Sequence, residues 1–402
     1  MSEVRALVTG IGVVSPLGIG TESFWEALCA GRTAVAAIRR FDPGGEAPRL
    51  GAEVADFPVR EFLPPALVRR MDRVSQMIGV ASVLAAADAG LTAAGTNGED
   101  LGVVVGTALG NITESVQFLD RVFTRGPSLA NPMLFPNLVM NAPASQVSMA
   151  LGWRGPNLTV SAGEISGEAA IDVAIGLLRR GRARAVVVAA GEELAEMTFR
   201  SLKRFRYLSP RRGGRERSTP FDVDANGPIL GEGAAAIVVE SADSAESRGA
   251  YVRASIEGVE RFALAARAPY LWPVPQALAE LRGPAASAAD IGLCGADSSP
   301  ERDVLELALM SRAMQGGRPL YALSGAVGTH AGLGLTTLAT AVLALCSGRL
   351  PPIVGLEHPR SGTWLALPRV ETRGSWSRAR VLGTARGGAG AVIDLARRSE
   401  SS

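Results

Sequence analysis

Residues Arg154–Asp172, reading RGPNLTVSAGEISGEAAID, are the part of this chain best arranged for chemistry. A β-rich run meets small residues and then opens into Ala, Ile and Leu at helical spacing. The pattern predicts an elbow, a tight strand-to-helix turn that presents one side chain at a helix N-terminus. Unpaired amides and the helix dipole favour negative charge at such a point. A cysteine thiolate there would be an activated nucleophile; this sequence has Glu164 instead. A carboxylate attacks a thioester poorly, and water would destroy the anhydride it formed. Imidazole partners are scarce as well. The chain has two histidines, His330 in the segment Ser324–Gly332 and His358 in a Glu-His-Pro loop that reads as surface. The three cysteines, Cys29, Cys294 and Cys346, have no paired spacing and no grouping with histidine. Neither a zinc site nor a disulfide framework is expected, and no other cofactor.

The elements that must position such an elbow alternate between short apolar runs and longer helical ones. Predicted strands of a first half are Leu7–Val14, Leu101–Thr107, Ala185–Ala190 and Ala234–Val239. Those of a second half are Val252–Val259, Ile291–Cys294, Leu320–Leu323, Ala366–Leu367, Arg380–Thr384 and Ala391–Leu395. Several are apolar throughout, as strands covered on both faces are. Helical periodicity falls on Ser75–Ala89, Thr113–Arg125 and Ser166–Arg179. The run Leu333–Ser347 is apolar nearly all round and predicts a buried helix. The fold class is therefore α/β, with two similar halves over residues 1–250 and 251–402 joined by the polar segment Ser241–Gly249. Ser209–Ser218, rich in Arg and Gly, reads as an exposed loop, and the polar tail Arg397–Ser402 as frayed.

At 402 residues the chain has enough apolar sequence for a large core. Its formal charge of +2 is near neutral, and Arg greatly outnumbers Lys. The arginines of Arg179–Arg184 and Arg211–Arg217 read first as surface, second as a dock for an acidic partner. No basic stripe interleaved with aromatics points to nucleic acid. The start, MSEVRALVTGIG, lacks a basic region followed by an apolar run, and no segment has about 18 uninterrupted apolar residues. A cytoplasmic protein without a membrane span is expected.

Taken together, these segments resemble the β-ketoacyl synthases. The resemblance rests on the elbow, on Val8–Gly18 (VTGIGVVSPLG), on Phe221–Gly233 (FDVDANGPILGEG), on Phe135–Asn141 (FPNLVMN) and on Arg154–Asn157 (RGPN). It runs from about Val4 to Leu395. It implies the thiolase-like fold: two α/β halves stacked in five αβαβα layers, dimeric across a strand of the first half. It also implies one Cys and two His in an active condensing enzyme. The Cys position falls on Glu164, before Ser166-Gly167. The first His falls on Gly295 in Gly295–Asp303, and the second on Thr329 in Ser324–Gly332. A one-residue shift would bring His330 to that second position, but the spacing from Gly328 to Gly332 argues against it. A family Lys falls on Ser324, and the glycine-rich end that carries a gating Phe reads Thr384–Gly388 (TARGG).

A family member without these side chains is expected to be a chain-length factor. That is the non-condensing subunit of a type II polyketide synthase, paired with an active ketosynthase and shaping the acyl tunnel that sets polyketide or polyene length. Residues near the dimer axis implied to wall that tunnel are Leu109, Ile112, Val116, Phe118, Met133 and Phe135. The acyl carrier protein would be a second partner, with Arg179, Arg180, Arg182, Arg204, Arg211 and Arg212 as unranked contacts. Glu164 itself reads as an acid held by helix-start amides and an Arg, or as a plug in a vestigial pocket. The alternatives are a malonyl-carrier-protein decarboxylase supplying primer through Glu164, and a degenerate homodimeric synthase.

Overall fold

A computed structural model describes residues 5–92, 98–264 and 289–398. The end of the tail expected to fray, 399–402, lies outside them. Ten strands carry the architecture: β1 Ala6–Ser15, β2 Leu101–Gly106, β3 Asn157–Val160, β4 Ala185–Glu192, β5 Gly233–Ser241, β6 Ala254–Ala263, β7 Ile291–Cys294, β8 Leu320–Ala322, β9 Arg378–Thr384 and β10 Ala389–Arg397. They run β8-β7-β9-β10-β6-β1-β5-β4-β2-β3 across one sheet, with the short strand Gly18–Ile19 added on β1. Outward from the centre, the first five strands follow the order 1-5-4-2-3, and the second five repeat it as 6-10-9-7-8. Directions repeat too: β1–β5 and β5–β4 are antiparallel and β4–β2–β3 parallel, as are their counterparts. The two sets meet only where Ala6–Val8 pairs antiparallel with Ala254–Ile256.

Strand burial follows the pleat, with both faces apolar. In β2, β4 and β5, Val104, Val186, Val188, Ala235 and Ile237 enter one core. Their neighbours Val103, Val105, Ala185, Val187, Ala234 and Ala236 enter another. The second core lies under the helix Arg73–Asp88, capped by Asp72, whose carboxylate accepts from Ser75 N at 2.8 Å, and under Ala142–Leu151. The first core surrounds two central helices, Ser166–Arg179 and Leu333–Ser347, which pack on each other and on strands of both sets. Pro300–Ala313 lies against β9. These are the layers of the expected thiolase-like α/β fold.

Two sequence expectations need correction. Ala366–Leu367 makes only an isolated bridge from Ala366 to Pro319 and is not a strand of the sheet. The strand expected over Val252–Val259 starts later and runs to Ala263, because pairing with β10 from Arg397 to Ala389 holds it extended. The central helices Ser166–Arg179 and Leu333–Ser347 fall where the periodicity placed them.

Candidate functional site

The elbow forms as β3 ends and the chain turns into Ser166–Arg179. Gly163 takes φ +60°, a left-handed conformation that favours glycine. The Ser166 hydroxyl closes the turn, donating to Gly163 O at 2.6 Å and accepting from Ala162 N at 3.0 Å. Glu164 lies one residue before the N-cap Ile165. Its carboxylate is met chiefly from the other half of the molecule. The Arg386 guanidinium pairs with it directly, and Arg386 N donates to it at 3.3 Å. Of the amides and the Arg expected to hold this acid, the Arg is Arg386, and the turn between β9 and β10 supplies both it and the 3.3 Å backbone donor. Burial pushes the Glu164 carboxyl up, but the guanidinia of Arg386 and Arg302 outweigh burial and hold it below the usual carboxylate range.

Arg386 is the hub of a charged network. It pairs with the fully buried Asp297 at 2.7 Å, donates to the Tyr207 hydroxyl, and stacks 4.5 Å from that ring's centroid. The Tyr207 hydroxyl also bonds Ser299 Oγ at 2.8 Å. Arg302 forms a second hub: it pairs with Asp297 at 3.2 Å and Glu306 at 3.1 Å, and donates to Thr384 O at 2.9 Å. Burial pushes Asp297 up, yet the same two arginines hold it below its ordinary range.

Gly295, the first expected histidine position, adjoins this second hub. A Cβ there would come 2.5 Å from Arg302 Nη2, so the guanidinium uses the room a side chain would take. Ser324, at the expected lysine position, donates to Ala296 O at 2.7 Å. Thr329, the second expected histidine position, is buried and joins the Ile229–Gly231 backbone through its N–H and C=O. His330 lies beside it; burial pushes its imidazole down to about 4, so it is neutral at physiological pH. His358 is exposed, as expected of a surface loop, with Nδ1 3.9 Å from Asp224.

Glu164, Thr329, His330, Tyr207 and Arg386 line a cavity of about 450 Å³ whose remaining wall is largely apolar, with Leu194, Leu202 and Leu230. Leu109 is the one of the six tunnel candidates that lines it. The other five lie on a neighbouring face. Ile112, Val116 and Phe118 belong to the helix Ile112–Arg125, none of whose residues is buried; Met133 and Phe135 belong to the 3₁₀ segment Pro132–Asn137. Phe118 braces Phe135 edge-on with ring centroids 6.3 Å apart. Asn137 anchors the segment, donating to Arg70 O at 2.7 Å and accepting from Gln146 Nε2 at 2.9 Å. In these two elements Phe123, Met133 and Phe135 are 82%, 74% and 62% exposed. Of the candidate docking arginines, Arg211 is already committed: it pairs with Glu301 at 2.7 Å and stacks on Tyr207.

Sequence reasoning did not single out Arg302, Asp297, Glu306 and Tyr207. An Arg four residues before a Glu, the spacing of neighbours on one helix face, was a readable signal for the pair Arg302 and Glu306. Arg386 was visible only as part of the glycine-rich segment Thr384–Gly388 that the resemblance pointed to.

The beta-ketoacyl synthase N-terminal domain family matches residues 4–245. The chain belongs to the β-ketoacyl synthase family, the condensing enzymes of fatty acid and type II polyketide synthesis. It is 29% identical over 376 residues to the 3-oxoacyl-[acyl-carrier-protein] synthase 2 of Synechocystis sp., covering 89% of each chain. It is 32% identical over 378 residues to the tetracenomycin polyketide synthase ketoacyl synthase alpha subunit of Streptomyces glaucescens, covering 89% of this chain and 88% of that one. The solved ishigamide ketosynthase/chain length factor superposes with a TM-score of 0.86 at 24% identity, covering 99% of this chain and 100% of that one. Among the described residues no helix is long and apolar enough to cross a membrane.

Proposed function

We propose that this chain is the non-condensing, chain-length-factor subunit of a type II polyketide synthase. In this reading its two halves, 1–250 and 251–402, form one cytoplasmic subunit that pairs with an active ketosynthase and walls the tunnel into which that partner's product grows. The observation that carries the reading is the ionised Glu164 carboxylate, paired with Arg386 where an acyl-accepting thiol would stand. Gly295 and Thr329 are read as vestigial alongside it. Condensation needs a group that accepts an acyl chain and then releases it to a carbanion; a carboxylate neutralised by an arginine does neither. Decarboxylation needs hydrogen-bond donors at the thioester oxygen while the enolate develops. An ionised Glu164 has no proton to donate and repels that charge, which disfavours the primer-supplying decarboxylase.

The exposed apolar face of Ile112–Arg125 and Pro132–Asn137 supports a partner subunit there, since exposed aromatic and Met side chains are the types that interfaces bury. On this reading the acyl carrier protein delivers to the active partner. Reconstitution with that partner and a loaded carrier protein tests the proposal, with product length read by mass. Leu109→Trp and Ile112→Trp are expected to shorten products without slowing the partner's acyl loading. Carbon dioxide released from malonyl carrier protein by this chain alone would establish the decarboxylase instead.

A further inference from the structure

The helix Pro300–Ala313 carries Arg302 and Glu306 toward the charged network, and a different stripe of it is apolar. Val304, Leu307, Ala308 and Ser311 recur at helical spacing and line a hollow of about 420 Å³. Val223, Arg360 and Trp364 line the rest of it. The hollow shares no lining residue with the chamber around Glu164.

Trp364 is 63% exposed, yet it is held in place. Its indole N–H donates to Ser311 O at 3.1 Å, and its carbonyl accepts from Gly317 N at 2.7 Å. Gly316 lies against the ring: a Cβ there would stand 3.6 Å from Trp364 Cδ1. A large aromatic surface is thus oriented by its neighbours and left open at the hollow. Arg360 is fixed by its backbone, whose N–H donates to Phe221 O at 3.0 Å. No carboxylate pairs with its guanidinium among the described residues, and its Nε is buried without an acceptor. Other half-buried arginines of this chain, such as Arg73 and Arg248, each have a glutamate. None of the residues lining the hollow is acidic.

These features select a ligand by its chemistry. An apolar floor beside an open indole favours a flat, apolar body that can stack. A guanidinium with no acid beside it favours an anion, and its planar fork matches the two oxygens of a carboxylate. An inorganic anion would meet the arginine and leave the floor wet. A neutral ring would cover the floor and leave the cation unpaired. The volume is that of a small-ligand site.

We propose that this hollow beside Pro300–Ala313 binds an aromatic carboxylate, which stacks on Trp364 and pairs with Arg360. The site stands whether or not the chain pairs with an active ketosynthase, because every residue that forms it lies within this chain.

Titration of the full-length chain with naphthoate tests the site, read by fluorine NMR of the chain labelled with fluorotryptophan. Trp364→Phe identifies the Trp364 signal. That signal is expected to shift saturably, with a Kd of about 1 mM or below. Naphthamide, which keeps the ring and loses the charge, is expected to bind at least about tenfold more weakly. Arg360→Gln is expected to weaken naphthoate by a similar factor, and Arg360→Lys by less. Octanoate, which keeps the charge and lacks the ring, is expected to bind about tenfold more weakly than naphthoate. A Trp364 signal that does not move overturns the site, as does naphthoate binding unchanged in Arg360→Gln. The two comparisons on the wild-type chain hold even if that variant fails to fold: equal binding of naphthamide overturns the pairing with Arg360, and equal binding of octanoate overturns the aromatic class.

Discussion

The chamber around Glu164 and the face formed by Ile112–Arg125 and Pro132–Asn137 differ in how far their side chains are partnered. The chamber is densely paired: Arg302 and Arg386 between them pair with Glu164, Asp297 and Glu306, and the room beside Gly295 is taken. The face is unsaturated, with large apolar side chains uncovered. On the function proposed above, charge stands in the chamber where reactivity would be, and the apolar face is where a partner would cover exposed side chains.

The comparison breaks or sharpens on four substitutions. Arg302→Ala leaves Asp297 and Glu306 buried without this partner, and is expected to cost about 3–5 kcal/mol in urea unfolding. Gly295→Ala, which only crowds the same guanidinium, is expected to cost about 1–3 kcal/mol. Neither should change affinity for a partner subunit; a loss of pairing without a loss of stability would dissolve the distinction. Met133→Asp with Phe135→Asp should do the reverse. Partner affinity by titration calorimetry is expected to fall at least about a hundredfold, while the stability of the isolated chain moves by less than about 0.5 kcal/mol.

Glu168 gives the third test. It is buried between the central helices, burial pushes its carboxyl up to about 7, and Oε2 has no hydrogen-bond partner among the described residues. A carboxyl whose folded pKa is raised binds more protons folded than unfolded, so its contribution to stability falls as pH rises from about 4 toward 7. Glu168→Gln is expected to match the wild type near pH 4.5 and exceed it by roughly 1–3 kcal/mol at pH 8 in denaturant melts. A wild type that gains relative stability with rising pH contradicts the assignment. The smallest effect is expected at His358, which is exposed: His358→Ala should shift the unfolding midpoint by less than the equivalent of about 0.5 kcal/mol.

How much of this was legible beforehand depends on how local the signal is. The apolar runs and the two central helices could be read because burial on both faces writes itself into consecutive residues, as in Val103–Val105 and Leu333–Ser347. The position of Glu164 at an elbow was readable for the same reason: small residues, then helical spacing. An Arg partner for Glu164 was expected, but which one was not readable, because Arg386 is 222 residues away in the other set of strands. The failure at Ala366–Leu367 is of the other kind: two apolar residues look the same in a strand and in a loop that touches one strand once. The resemblance pointed to Glu164, Gly295 and Thr329, but it could not foresee that Arg302 lies where a Gly295 side chain would stand.

The meeting of β1 with β6 over three residues, with the central helices lodged between both strand sets, bears on how such a chain can be inherited. The two halves share little continuous backbone pairing, so a crossover in Ser241–Gly249 would seem to exchange modules freely. It would not, because the elbow acid travels with one parent and the arginine that neutralises it with the other. A recombinant that replaced either member of the couple would leave the other without this contact across the two strand sets.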